Sequence, residues 1–244
     1  MRPMGTAFVT GAGIRIGSAV ARALGRAGYD LALHANRSLD SLGALAEELR
    51  ALGRRVTLHA ADLSQPEAVD ALGAGVREAW PALDVVVHNA GLYERVDFAS
   101  ISREQYRTML AVNLDAPFFL TQALLPCLRA GKDPLVVHIT DVGGERPVSH
   151  YAHYSVSKAG LIMLTRALAV ELAPHVRVNA VSPGAVAFPE DYDTAAREEV
   201  LKRIPLGREG SVEDIARTIV FLAREAPYLT GQVIAVDGGR SAQL

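Results

Sequence analysis

TAFVTGAGIRIG, residues 6–17, sets the expectation for the whole chain, because it reads as an apolar strand, a glycine turn and the start of a helix. Glycines let such a turn bend tightly and approach a pyrophosphate, and the N-terminus of the following helix supplies N–H groups and the positive end of the helix dipole. The spacing differs from G-x-G-x-x-G, so the general dinucleotide fingerprint is not met as written. The order of strand, turn and helix still predicts a dinucleotide site; a packing turn is the alternative.

Strand-like and helical patterns alternate outward from this segment to the end of the chain. The strand-like runs, rich in Val, Ile, Leu and Ala, are 6–10, 29–34, 55–60, 84–90, 135–140, 176–182 and 232–237. The helical patterns are 15–27, 41–52, 66–80, 104–129, 154–172 and 212–223, the last with Ser211 and Asp214 placed as an N-cap and a capping-box variant. Strands that are apolar on both faces are typical of a parallel sheet covered by helices. We therefore predict a single α/β domain over residues 1–244, with a seven-stranded, doubly wound parallel sheet and helices on both faces.

Composition excludes several classes of function. The chain has 244 residues, half of them hydrophobic, with 25 Lys and Arg against 27 Asp and Glu, so it carries no basic footprint for nucleic acid and no polybasic membrane patch. The single cysteine, Cys127, cannot form an intramolecular disulfide. We find no signal peptide and no uninterrupted apolar run of the roughly 18–20 residues that a span needs, so we expect a cytoplasmic protein without a metal site.

One segment, residues 185–208, breaks the alternation. It follows the sixth strand, and ligands of open parallel sheets bind beyond the carboxyl ends of the strands. We therefore expect this segment to be the substrate loop.

The end of the second strand indicates which dinucleotide is bound. An NAD enzyme usually has an acidic residue there for the ribose hydroxyls, whereas this chain has His34-Ala35-Asn36-Arg37-Ser38, and Asp30 lies at the wrong end of the strand. Asn36, Arg37 and Ser38 offer a charge and donors suited to a 2′-phosphate, which favours NADPH; an ordinary exposed arginine is the alternative. Asp62-Leu63, after the third strand, is placed to meet an adenine amino group, although a strand-end cap explains Asp62 nearly as well.

Tyr154 and Lys158 form the clearest catalytic pattern. They are four residues apart on a predicted helix, so they share a face. A tyrosine is a poor acid because its ordinary pKa is about 10. An ammonium group held nearby stabilises the phenolate and makes the hydroxyl a better proton donor. Alone the pattern is weak, and it gains weight from the glycine turn at the start of the chain.

A set of short motifs then follows in one order from residue 6 to residue 240. They are Thr10-Gly11 to Gly17, His88-Asn89-Ala90-Gly91, Asn113, Tyr154-x-x-x-Lys158, Ser182-Pro183-Gly184 and Val236-Asp237-Gly238-Gly239. Together they resemble the short-chain dehydrogenase/reductase family. The resemblance implies a Rossmann-type fold and a homo-oligomer, which we predict to be a tetramer. It also implies a catalytic set in which Asn113 kinks its helix and holds a water next to Lys158. The residues expected at the cofactor are Gly11, Arg15, Ile16, Gly17, His34, Asn36, Arg37, Ser38, Asp62, Leu63, Asn89, Ala90, Gly91, Tyr154, Lys158, Pro183 and Gly184.

Two departures from the family pattern point to a subgroup. Arg15 replaces the middle glycine of the turn, and Asp141 stands where the family usually has a serine, thirteen residues before the catalytic tyrosine. Both departures resemble the pteridine reductases. That resemblance implies that Arg15 contacts a pterin and the cofactor phosphate, that Asp141 pairs with Tyr154, and that Tyr93 stacks on the pterin.

The sequence therefore predicts NADPH-dependent reduction of a pterin, with Asp141, Tyr154, Lys158 and Asn113 as the catalytic set and Arg15, Tyr93, Asp141 and Tyr154 at the substrate. Biopterin, monapterin, dihydrofolate and a quinonoid form all stay open. The first alternative is a reductase of ordinary ketones or 3-oxoacyl thioesters, which would have a hydroxyl residue at position 141. A non-catalytic NADPH-binding regulator is the second; it would not need Tyr154, Lys158 and Asn113 together.

Overall fold

A computed structural model describes residues 4–186, 188 and 193–242 of the chain. The strands in these residues are β1 Gly5–Val9, β2 Tyr29–Ala35, β3 Val56–Ala60, β4 Val85–His88, β5 Leu135–Ile139, β6 Arg177–Pro183 and β7 Val233–Val236. Within the described chain they form one seven-stranded sheet in the order β3-β2-β1-β4-β5-β6-β7, and every neighbouring pair is parallel. The predicted fold class, a doubly wound parallel sheet, is confirmed.

Helices connect the strands and lie on both faces of the sheet. Their bounds are α1 Arg15–Arg26, α2 Leu39–Ala51, α3 Pro66–Ala79, α4 Arg103–Leu110, α5 Ala116–Arg129, α6 Ala152–Glu171, α7 Thr194–Lys202 and α8 Val212–Arg224. The predicted capping box of α8 is confirmed, because Ser211 Oγ accepts from the N–H of Asp214 while the Asp214 carboxylate accepts from the N–H of Ser211. Such a pair satisfies two helix-end N–H groups at once.

Two apolar cores cover the two faces of the sheet. Successive strand residues point to opposite faces, so Val9 packs with α1, α2 and α8 while Phe8 packs with α3 and α5. The same alternation places Val85 in the first core and Val86 in the second. Fully burying a side chain of this size contributes about 1.5–3 kcal/mol, which explains why the strands are apolar on both faces.

The predicted helix over residues 104–129 is divided in the structure. A π-helical turn, Ala111–Asp115, separates α4 from α5, and Asn113 is buried within it. The sequence also gave no prediction for α7, which lies inside the expected substrate loop. Residues 187 and 189–192 of that loop lie outside the described residues.

The segment Arg103–Arg129 is long and apolar enough to cross a membrane on length and composition alone. In the structure it consists of α4, the π turn and α5, and Leu120, Leu124 and Leu128 of α5 are fully buried in the second core. Core helices pass the same test, so this finding is weak support for a span.

The strand order places the site. The chain crosses from β3, at one edge of the sheet, back to β4 beside β1, so the connections on either side of β1 and β4 run in opposite directions. In open α/β sheets the crevice at the carboxyl ends of such strands is where ligands bind. The loops after β1, β4 and β5 all meet there.

Candidate active site

A cleft of about 1500 Å³ lies at this carboxyl edge. It brings together every site residue predicted from the sequence except Asn113. These lining residues are Gly11, Arg15, Ile16, Gly17, His34, Asn36, Arg37, Ser38, Asp62, Leu63, Asn89, Ala90, Gly91, Tyr93, Asp141, Tyr154, Lys158, Pro183 and Gly184.

The glycine turn is held against the loop after β4. Gly11 has a φ of +63°, and a Cβ at this position would lie 2.9 Å from Ala90 Cα. A Cβ on Gly17 would collide with the carbonyl of Gly11. Asn89 Nδ2 donates to the carbonyls of Thr10 and Gly11, both at 3.0 Å. The turn therefore brings the backbone and the N-terminus of α1 to the cleft, which suits a pyrophosphate.

Arg15 is the first residue of α1 and adopts a φ of +51°, which is uncommon for a residue with a side chain. It is exposed and lines the cleft. The position that the family usually gives to glycine therefore keeps a glycine-like backbone here while it carries a guanidinium.

His34 supports this turn from below. The ring is buried; Nδ1 lies 3.3 Å from the N–H of Gly11 and Nε2 lies 3.1 Å from the carbonyl of Ala61. Burial lowers the pKa of His34, so the neutral ring accepts from Gly11 and donates to Ala61. Both ring nitrogens are thus used on the backbone, which makes His34 a positioning residue within the cofactor end.

The end of β2 offers groups that fit a 2′-phosphate. Arg37 and Asn36 are exposed in the cleft beyond the end of the strand; residues 36–38 include no acidic residue, and Asp62 from the loop after β3 lies beside them. Asp30, at the opposite end of the strand, accepts from the N–H of Arg55 at 2.9 Å. Asp62 accepts from the N–H and hydroxyl of Ser64, and these bonds lower the pKa of its carboxyl group. The strand-end cap that was the alternative for Asp62 is therefore present.

Helix α6 carries the predicted catalytic pair into the cleft. Tyr154 and Lys158 lie one turn apart, both buried, with Lys158 Nζ 5.7 Å from the Tyr154 ring centroid. Lys158 Nζ donates to the carbonyl of Ile139 at 2.9 Å. Burial lowers the pKa of Lys158 to about 8, and the charge of Asp141 opposes that change.

Asp141 lies opposite this pair at the end of β5. Its side chain accepts from the N–H of Gly143 at 2.6 Å and from the hydroxyl of Tyr154. Burial raises the pKa of Asp141, while the Gly143 hydrogen bond and the charge of Lys158 act against burial.

The pKa of Tyr154 is raised, first by burial and then by the negative charge of Asp141. Lys158 Nζ lies 5.7 Å from the centroid of the Tyr154 ring, and stabilisation of the phenolate by this ammonium group stays a prediction. Burial and the charge of Asp141 therefore keep the Tyr154 hydroxyl protonated, as a proton donor requires.

Asn113 does not line the cleft but supports its floor. Asn113 Oδ1 accepts from the N–H of Leu92 at 2.7 Å, and Nδ2 donates to the carbonyl of Leu92 and to Ser157 Oγ, both at 3.0 Å. A Cβ on Gly91 would lie 3.2 Å from Asn113 Oδ1 and 3.5 Å from Lys158 Nζ. The amide thus lies next to Lys158 and fixes the loop after β4.

The structure adds an aromatic residue that the sequence did not single out. Tyr151 stacks on Tyr93 with ring centroids 4.6 Å apart, and Tyr93 also meets the Tyr154 ring edge-on at 4.8 Å. Tyr93 and Tyr151 come from different loops. The available signal was the spacing of Tyr151 and Tyr154, which are three residues apart and face the same side of a helix.

The comparisons with known proteins identify the family of the chain. The sequence model of the family described as Enoyl-(Acyl carrier protein) reductase matches residues 11–241. The chain belongs to the short-chain dehydrogenase/reductase family and is an NAD(P)-dependent oxidoreductase of that family.

Relatives in this family carry different names. A 3-oxoacyl-(acyl-carrier-protein) reductase FabG of Aggregatibacter actinomycetemcomitans is 38% identical over 96% of this chain and 98% of its own length. An L-rhamnose 1-dehydrogenase (NAD(P)(+)) of Azotobacter vinelandii is 35% identical over 96% of this chain and 95% of its own length.

Two solved structures share the fold. A blue fluorescent protein from a metagenomic library, in complex with NADPH, matches with a TM-score of 0.91 and 31% identity, and a short chain dehydrogenase from Burkholderia cenocepacia, in complex with NADP, with 0.91 and 30%. Each match covers 98% of both chains. The phosphorylated cofactors in these structures agree with the cofactor predicted from residues 36–38.

The names of these relatives do not mention a pterin. The family and the oxidoreductase class predicted from the sequence are confirmed, whereas the pteridine reductase subgroup is not shown. The relatives support the alternative, a 3-oxoacyl thioester reductase, better than they support pterin reduction.

Proposed function

We propose that this protein uses NADPH to reduce a carbon–nitrogen double bond in the ring of a pterin. One observation carries the proposal: the carboxylate of Asp141 accepts a hydrogen bond from the hydroxyl of Tyr154 inside the cleft. A carboxylate only accepts hydrogen bonds when it is ionised, so it suits a substrate that presents N–H donors. The amino-substituted ring of a pterin has such donors.

A simple ketone or a 3-oxoacyl thioester fits this arrangement less well. Its reacting oxygen needs donors, and two are expected in the usual family pattern, a tyrosine and a serine. In this chain Asp141 takes the place of the serine, and an ionised carboxylate accepts hydrogen bonds but donates none. An ionised carboxylate beside a carbonyl oxygen repels the negative charge that develops there during reduction.

The residues of the chain divide the work of the reaction. NADPH, when bound, supplies a hydride from its nicotinamide ring. Tyr154 donates its hydroxyl proton to the ring nitrogen next to the carbon that receives the hydride, so the C=N bond becomes CH–NH. Asp141 keeps Tyr154 protonated and orients its hydroxyl. Lys158 supplies a positive charge that offsets the phenolate left behind.

The other predicted residues bind the cofactor and the substrate ring. Arg37, with Asn36 and Ser38, binds the 2′-phosphate of NADPH, and the turn at Gly11 receives the pyrophosphate. Tyr93 packs one face of the substrate ring. The protein acts in the cytoplasm as a homotetramer.

The second candidate is reduction of a 3-oxoacyl thioester, and the identity of 38% to a reductase of that class favours it. Identity at this level does not fix the substrate, because an L-rhamnose dehydrogenase is 35% identical over the same share of the chain. The side chains in the cleft therefore weigh more than the names of the relatives.

Steady-state turnover with NADPH separates the two candidates. The panel consists of 7,8-dihydrobiopterin, 7,8-dihydrofolate, a 3-oxoacyl thioester and an aryl ketone, tested with the natural protein, Asp141→Ser and Asp141→Ala. We expect pterin turnover in the natural protein and a loss of roughly ten- to ten-thousand-fold in both variants, since losing a positioned proton-transfer partner has effects in this range. Turnover of the thioester alone, with gain or retention in Asp141→Ser, would establish the second candidate.

A further inference from the structure

The turn after β7 reaches the cleft that also contains Asp141. Its residues Arg240 and Ser241 line the cleft wall. The Asp237 carboxylate accepts from the N–H of Gly239 at 2.9 Å and from the N–H of Ser241 at 2.6 Å. These two bonds enclose Arg240, so its backbone is fixed by its neighbours on both sides.

Packing against two other segments fixes the turn in place. Gly238 has a φ of +65°, and a Cβ there would lie 2.7 Å from Ile204 Cγ2; its carbonyl accepts from the N–H of Leu206 at 3.1 Å. A Cβ on Gly184 would lie 2.6 Å from Asp237 Cβ. The turn therefore fits between the end of β6 and the segment after α7, and Arg240 is presented to the cleft by a closely packed support.

The guanidinium of Arg240 has a charge but no partner of its own. The residue is half-buried, and within residues 4–186, 188 and 193–242 its side chain makes no hydrogen bond and no ion pair. Its positive charge nonetheless lowers the pKa of Asp141. A guanidinium has five N–H donors and no acceptor, so the cleft presents an acceptor at Asp141, a donor at Tyr154 and further donors at Arg240.

The donors at Tyr154 and Arg240 match one edge of the ring system of a 7,8-dihydropterin. In that ring system the 4-oxo oxygen and N5 lie side by side, and N5 is the nitrogen of the C6=N5 double bond. A proton donor at N5 and a cation at the 4-oxo oxygen therefore need to come from neighbouring points of the cleft. Tyr154 on α6 and Arg240 on the C-terminal turn line the same cleft as Asp141, and the turn that carries Arg240 packs against Gly184 at the end of β6.

We propose that Arg240 is a specificity-determining residue that donates hydrogen bonds to the 4-oxo oxygen of a 7,8-dihydropterin while Tyr154 protonates N5. The inference rests on the proposed function and deepens it, because it assigns the reduced bond to C6=N5. The hydride adds to C6 and the Tyr154 proton to N5, which gives a tetrahydropterin and NADP+.

Folate and aminopterin provide a matched pair of probes, since aminopterin carries an amino group where folate has the 4-oxo group. Their dissociation constants are measured on the NADP+ complex of the natural protein, Arg240→Met and Arg240→Lys, because this complex has no hydride with which to reduce folate. Loss of a hydrogen bond to a charged group weakens binding by roughly ten- to a hundredfold. We expect Arg240→Met to weaken the binding of folate by that amount and the binding of aminopterin by less than threefold. Arg240→Lys should recover part of the folate affinity.

Arg95→Met is the matched control, because Arg95 also lines the cleft but is on the loop after β4. It should change the affinities of both probes by the same factor, so that their ratio stays constant. Melting temperature and NADPH affinity of Arg240→Met show whether the variant folds, and we expect both to match those of the natural protein.

The outcomes separate the two proposals. If both probes bind the natural protein and Arg240→Met shifts their ratio by less than threefold, the role of Arg240 is overturned and the proposed function stands. If neither probe binds the natural protein, the proposed function fails and the role of Arg240 fails with it.

Discussion

The hydroxyl of Tyr154 donates a hydrogen bond to the carboxylate of Asp141, and this contact joins the loop after β5 to the first turn of α6. The negative charge of Asp141 raises the pKa of Tyr154 and also raises the pKa of Lys158 against the effect of burial. One carboxylate therefore holds a proton on both members of the catalytic pair.

Replacing Asp141 with Asn should move the alkaline limb of the pH–rate profile to lower pH. The substitution keeps the shape of the side chain and removes its charge, so the pKa values of Tyr154 and Lys158 both fall. The shift has the same sign whichever of the two groups limits the rate. The measurement is kcat with 7,8-dihydrobiopterin between about pH 6 and about pH 10, a range that contains the lowered pKa of about 8 for Lys158.

Glu145→Gln is the control for this profile. Glu145 follows Asp141 on the same loop but is exposed, and its carboxylate lies 3.6 Å from Arg166. Its removal should leave the alkaline limb in place. If Asp141→Asn and Glu145→Gln give the same profile as the natural protein, Asp141 does not control either pKa.

Arg37→Ala should weaken the binding of NADPH much more than the binding of NADH. Arg37 lies exposed in the cleft beyond the end of β2, where residues 36–38 include no acidic residue to bind ribose hydroxyls. Removing a charged donor from a phosphate costs roughly 1.5–3 kcal/mol, or about ten- to a hundredfold in KM for NADPH. KM for NADH should change little because NADH has no 2′-phosphate. Equal use of both cofactors by the natural protein would contradict the assignment.

The alternation of strands and helices was readable because its cause is local. Each strand is apolar on both faces, and the glycine turn at residues 10–17 begins the first helix within one residue of its predicted start. Tyr154 and Lys158 could be paired because a helix brings residues four apart onto one face. Asp141 could be singled out because it departs from a family pattern at a fixed distance from Tyr154.

Tertiary contacts explain what the sequence left open. The π turn around Asn113 depends on its amide bonding to Leu92 and Ser157, which are distant in the chain. The stacking of Tyr93 on Tyr151 joins two loops that no periodicity connects. Arg240 follows a glycine pair that is typical of a turn, and its place in the cleft wall depends on the packing of Gly238 against Ile204.

The outer face of α6 should form a subunit contact. Val156, Met163 and Val170 are spaced seven residues apart and are 50%, 59% and 81% exposed. Such a stripe on one helix face is typical of a surface covered by another helix. Met163→Lys should raise the dissociation constant of the oligomer at least about tenfold, because it places an unpaired charge in the contact. Leu52→Lys, at an exposed position after α2, is the control.

Light scattering at micromolar concentration gives the molar mass for this test. We expect a tetramer for the natural protein and for Leu52→Lys, and smaller species for Met163→Lys. A natural protein that stays monomeric would rule out the predicted assembly.

Lys158→Met should make the cofactor-free protein more stable at pH 7 while it abolishes turnover. Burial lowers the pKa of Lys158 from 10.5 to about 8, so the folded protein carries a destabilising charge below pH 8. A shift of this size corresponds to roughly 3 kcal/mol, less the lost bond from Nζ to the carbonyl of Ile139. Between about pH 8 and 10.5 the unfolded chain binds more protons at this residue than the folded chain, so the free energy of unfolding of the natural protein should rise with pH.

Lys158→Met should lack this rise, whereas Lys132→Met, at an exposed position, should keep it. Urea unfolding at pH 7, 8 and 9.5, values chosen around the shifted and ordinary lysine pKa, measures the difference, and parallel pH profiles for the natural protein and Lys158→Met would show that Lys158 is not buried with its charge.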